Sequence, residues 1–118
     1  MPKWADVARI ASGLPEVKRS TMHGSECFRV RDKAFAVNAS RVEGCVVIWC
    51  SPVEKAALLA LGDPAFTTTP HYDGHGSILV DLDAVDPDQL VELVVEGWRL
   101  RAPVKLRKEF DAAGSGEA

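Results

Sequence analysis

Apolar residues recur at helical spacing in three stretches of the chain and at strand spacing between them. From Pro2 to Ser12, the residues Trp4, Val7, Ala8 and Ala11 share one helix face, and Gly13 followed by Pro15 ends the run. A second helix opens at Ser51-Pro52-Val53-Glu54. There the Ser51 hydroxyl can accept from the Glu54 amide while the Glu54 carboxylate reaches back to the Ser51 amide, and Pro52 stands where no amide hydrogen is needed. It stops at Gly62, with Pro64 beyond. A third is capped by Asp86, carries Pro87 at its first position and runs to about Arg101, with Leu90, Leu93, Val94, Gly97 and Trp98 on one face. A glycine inside a helix costs about 1 kcal/mol against alanine, so Gly97 predicts a close approach by another element. Pro103 breaks this helix, a short basic helix is expected over Val104 to Phe110, and the small polar residues after it should fray.

Between the helices the period changes to two. Phe28, Val30, Phe35, Val37 and Ala39 read as one side of a hairpin tipped by Arg31-Asp32-Lys33, with Arg29 and Arg31 on the other side. After a turn at Glu43-Gly44, the run from Cys45 to Cys50 is apolar on both faces and belongs at the centre of a sheet. Ile78 to Leu82 forms a further strand with Ile78, Val80 and Leu82 inward. Hairpin-linked strands flanked by helices predict an α+β fold, an antiparallel sheet of about five strands packed with roughly three to four helices. One domain over residues 1–111 and a disordered tail over 112–118 complete the expected organisation.

Composition narrows the class further. A length of 118 residues suits a single core, and no apolar run approaches the roughly 20 residues that span a bilayer. No basic-then-apolar leader opens the chain, so a cytoplasmic location without membrane contact is expected. The mild net charge of −3 argues neither for a dedicated polyanion binder nor against a local cationic patch. Cys27, Cys45 and Cys50 form no CxxC pair, and Cys45 and Cys50 should point to opposite faces of their strand, so buried structural thiols are expected.

Two groups of residues offer chemistry. The first is Pro70-His71-Tyr72-Asp73-Gly74-His75-Gly76, where glycines permit a sharp turn that gathers His71, Tyr72, Asp73 and His75 as candidate ligand-binding side chains. The two histidines have the spacing of metal ligands on a helix, but Gly74 and Gly76 argue against a helix, and neither a metal nor a cofactor is expected. No nucleophile elbow, phosphate loop or dinucleotide fingerprint occurs, so no catalytic residue is assigned and the chain is not expected to be an enzyme. The second group is basic. Arg29, Arg31 and Lys33 crowd one hairpin, Arg99 and Arg101 lead a cationic run toward the C-terminus, and Trp49 can supply a stacking surface beside the arginines.

The order of these features resembles the MmcQ/YjbR-like family. The likeness rests on Leu14-Pro15-Glu16, Phe28-Arg29-Val30, Lys33-Ala34-Phe35-Ala36, the capped helix at Ser51, Thr67-Thr68-Thr69-Pro70-His71-Tyr72-Asp73-Gly74 and Gly97-Trp98-Arg99-Leu100-Arg101-Ala102-Pro103. It spans about Val7 to Phe110. The resemblance implies a small α+β protein of double-wing, frataxin-like arrangement, with DNA as the expected partner by structural analogy alone and no catalytic residues to transfer. Where relatives carry a bulky residue after the loop motif, this chain has Gly76-Ser77, and the acidic first helix expected of an iron binder is reduced to Asp6. Two readings follow: a DNA-binding module using Arg29, Arg31, Lys33, Trp49, Arg99 and Arg101, or a small-molecule or protein-binding domain centred on Pro70 to Gly74. A monomer or weak homodimer fits either.

Overall fold

A computed structural model describes residues 2–22, 24–39, 44–68 and 76–116. The first helix, α1 (Trp4–Ser12), is closed at its start by the Lys3 amide donating to the Asp6 carboxylate at 2.8 Å. Four strands then run back and forth in sequence: β1 (Val17–Met22), β2 (Ser25–Val30), β3 (Lys33–Asn38) and β4 (Cys45–Trp49). Helix α2 (Pro52–Ala60) leads to the two-residue β5 (Phe66–Thr67) and to β6 (Ser77–Asp81), and α3 (Pro87–Arg101) and α4 (Val104–Gly116) finish the chain. The described strands form one antiparallel sheet in the order β1-β2-β3-β4-β6-β5. No helix among the described residues is long and apolar enough to cross a membrane.

The α+β architecture is therefore as the sequence predicts, with six strands and four helices among the described residues. The additional strands are the ones whose residues carry little apolar signal. In β1 most side chains are exposed or half-exposed, as an edge position allows, and β5 is too short to show a period. Helix α4 continues to Gly116, past Phe110, where the short basic helix was expected to end.

Caps behave as read, with one difference. Asp86 accepts from the amides of Asp88 and Gln89 at 3.1 and 3.2 Å at the start of α3. Ser51 Oγ accepts from the Glu54 amide at 3.1 Å, which is the forward half of the expected reciprocal pair at α2.

The hairpin alternation breaks at one point. The β2–β3 ladder pairs Phe28 with Ala36 but Arg29 with Ala34, leaving Phe35 as the extra residue of a bulge. Phe35 and Ala36 consequently both enter the helix-side core, while Ala34, Val37 and Ala39 face the other way. The expectation that Phe28, Val30, Phe35, Val37 and Ala39 share one side is corrected accordingly: the first three do, the last two do not.

The main core lies between the sheet and the helices. Phe28, Val30, Phe35, Val46, Ile48, Ile78 and Val80 meet Val7 and Ala11 of α1, Leu58 of α2, Leu90, Leu93, Val94 and Trp98 of α3, and Leu106 of α4. Gly97 explains itself here: a Cβ built at that position would lie 3.1 Å from Ile48 Cγ2 and from the Trp49 carbonyl oxygen. Helix α3 sits on the sheet backbone itself. The opposite sheet face holds a smaller cluster of Cys27, Ala34, Val37, Ala39, Cys45, Val47 and Leu79, with Met22 and Trp49 packed against it. Val47 of this cluster is buried.

Candidate nucleic-acid interface

The β2–β3 turn is the tight two-residue kind. Arg31 and Asp32 occupy its centre with φ of 49° and 71°. Arg31 is thus a turn residue, not a strand residue sharing a face with Arg29. Its guanidinium reaches Glu16, which accepts at 2.5 Å from Nε and 2.9 Å from Nη2. This two-pronged pair holds the Glu16 carboxyl below its ordinary range and the Arg31 guanidinium above its own. Its charge is matched within the chain.

Arg29 behaves differently. It lies in β2 on the face away from the helices, beside Lys18 across the β1–β2 ladder and Ala34 across the β2–β3 ladder. Its guanidinium donates to the carbonyl oxygens of Asp32 at 3.2 Å and Thr21 at 3.3 Å. Neither acceptor is charged, so Arg29 keeps its full positive charge. Lys33 is exposed at the start of β3.

Arg101, from the last turn of α3, reaches the same neighbourhood from the far side. Its Nε donates to the Ala34 carbonyl oxygen at 3.0 Å, and its guanidinium carbon lies 5.4 Å from the centre of the Trp49 ring. That distance is a cation–π stack. No carboxylate among the described residues pairs with Arg101, and partial burial alone pushes its pKa down. Arg99 sits apart, ion-paired with Asp111 and, at 3.5 Å, with Glu96.

Of the basic residues and tryptophan singled out from the sequence, the structure therefore unites Arg29, Trp49 and Arg101. It leaves Lys33 nearby, and it sets Arg31 and Arg99 into ion pairs. Lys18 is the addition that sequence reasoning missed, because its strand was not recognised. His71, Tyr72, Asp73 and His75 lie outside the described residues.

A separate pocket of about 210 Å³ is lined by Cys50, Ser51, Glu54, Glu96, Arg99, Leu100 and Arg107. Burial, with Glu96 adding to it, raises the Glu54 carboxyl, and burial carries the Cys50 thiol up to about 11. Cys27 and Cys45 are likewise raised by burial, and all three cysteines are free. A thiol-specific reagent used around pH 8 is expected to leave all three unmodified in the folded protein and to label all three on unfolding. Rapid labelling of any cysteine before unfolding would contradict this assignment. The same shift at Cys50 lowers stability as pH climbs from 9.0 toward about 11, since the unfolded thiol releases its proton first.

An antiparallel α+β domain, whose described helices share the core on one sheet face and leave a cationic margin on the other, defines the class. The YjbR family model matches residues 12–100. The chain belongs to the YjbR family. It is 32% identical over 133 aligned residues to "Uncharacterized protein Rv2570" of Mycobacterium tuberculosis, covering 98% of this chain and all of that protein. "Uncharacterized protein Mb2600" of Mycobacterium bovis matches to the same extent. Among solved structures, Deinococcus radiodurans protein DR2400, with a DUF419 family-model domain, superposes with a TM-score of 0.76 over 92% of this chain and 88% of its own. At 17% identity that likeness speaks for the fold.

Proposed function

We propose that the protein is a DNA-binding module whose contact surface is the cationic margin formed by Lys18, Arg29, Trp49 and Arg101. The observation that carries this reading is Arg101. A partly desolvated guanidinium is fixed in place by the Ala34 carbonyl and the Trp49 ring, with its remaining donors unmatched by any described carboxylate. Holding a cation this way is costly unless an anion completes it, and a phosphate oxygen supplies the missing acceptor. Arg29 adds a second full charge on the neighbouring strand.

Fluorescence anisotropy with labelled duplex and single-stranded DNA at two salt concentrations tests the reading. Binding in the micromolar range or tighter, weakening steeply with salt, is the expected result. The double variant Arg29→Ala/Arg101→Ala should lose about tenfold or more in affinity. Arg31→Ala and Arg99→Ala, whose charges are already paired, should stay within about twofold of the parent. No binding by the folded protein at low salt overturns the reading and leaves residues 70–74 as the remaining candidate.

A further inference from the structure

Duplex recognition usually requires an element that projects into a groove carrying free cationic or polar side chains. Among the described residues, the strand-to-strand turn with an arginine at its tip is the β2–β3 turn. Its Arg31 is clamped on Glu16 through two nitrogens, and the turn's other residue is the acidic Asp32. The tip is therefore unsuited to a groove lined by phosphates.

Arg101, Arg29 and Lys18, none of them in an ion pair among the described residues, lie instead on the sheet surface around an aromatic ring. Arg101 stacks over Trp49, which is half-buried at the end of β4. Both an indole face and a guanidinium plane accept a nucleobase by stacking, and an arginine already layered on a tryptophan extends the stack by one level. Arg29 and Lys18 continue outward on β2 and β1, two and three strands from Trp49, about 10 and about 14 Å away at the usual strand spacing. Arg19, by contrast, is paired with Glu26 at 3.2 Å and lies over Phe28 on the helix side of the sheet.

We infer that this margin takes an unpaired strand, with a base stacked at the Arg101–Trp49 pair and the flanking phosphates on Arg29 and Lys18. The inference rests on the proposed DNA-binding reading and specifies its ligand. Bases in a duplex stack on one another and are not free to pair with a protein ring, whereas those of a single strand are. Stacking is tolerant of sequence, so no strong base preference is expected.

The test compares a labelled oligothymidylate of about 20 nucleotides, which does not self-pair, with a duplex of the same length, using the full chain. The oligothymidylate should bind about tenfold more tightly than the duplex. Trp49→Leu, which keeps an apolar side chain in place without a stacking face, should weaken single-strand binding about tenfold. Trp49→Phe, which retains a face, should remain within about threefold of the parent. Far-ultraviolet circular dichroism and a thermal melt establish that each variant is folded. Duplex binding as tight as single-strand binding overturns the inference while leaving the DNA-binding reading intact. Unchanged single-strand affinity in Trp49→Leu overturns the stacking role. Binding to neither probe overturns both.

Discussion

Trp98→Ala is expected to destabilise the protein by about 3–5 kcal/mol, a large share of the roughly 5–15 kcal/mol that a domain of this size holds. Trp98 is fully buried and is the largest side chain in the core to be so. Its ring packs against Phe110 of α4 with centroids 4.9 Å apart, and its indole N–H donates to the Pro15 carbonyl oxygen at 3.0 Å. Truncation thus opens a cavity, strips α4 of its aromatic neighbour and removes the donor from a half-buried carbonyl at once. Trp98→Phe separates these contributions, since it keeps most of the apolar volume and removes the donor; a cost of about 1–3 kcal/mol is expected from the unsatisfied acceptor. Chemical denaturation measures both. An alanine variant within about 1 kcal/mol of the parent would show that the site collapses around the loss.

Gly97→Val should be nearly as damaging, at about 3 kcal/mol. The new Cβ would meet Ile48 Cγ2 and the Trp49 carbonyl oxygen at 3.1 Å and the Phe35 carbonyl oxygen at 3.3 Å. Two of these three are sheet backbone, which cannot rotate away as a side chain does. Valine adds two methyl groups to that contact, so α3 has to lift from β3 and β4. Gly97→Ala is the instructive companion, because about 1 kcal/mol of helix propensity offsets its smaller clash. A valine variant melting within about 2 °C of the parent would mean that α3 shifts freely over the sheet.

Gly97 also shows how far the sequence could be read. A glycine amid a strong helical pattern has few physical justifications, and close approach is the one found. The same holds for Asp86, whose cap is local chemistry, and for β4, whose two apolar faces place it between β3 and β6. Strand β1 was not legible, because an edge strand needs little apolar signal and Lys18, Arg19, Ser20 and Thr21 carry almost none. The bulge at Phe35 was not legible either: alternation is a property of each strand alone, whereas a bulge exists only relative to a partner.

The candidate site shows the same division. That Arg29 and Trp49 share a sheet face follows from strand periodicity. That Arg31 is neutralised by Glu16 does not, since the pair joins the β2–β3 turn to the segment before β1. Arg101 is the extreme case. Nothing in the sequence around it foretells that it will lie across Trp49, and only the seating of α3 brings it there.

The indole of Trp98 and the carbonyl of Pro15 stand 83 residues apart in sequence. Strands β1 to β3 pair with their immediate successors and can zip up as the chain is made. Yet the sheet surface over Phe35 and Ile48 has no cover until α3 has been synthesised. A growing chain therefore carries its most apolar surface bare through most of its translation, and the last helices to emerge are the ones that shield it.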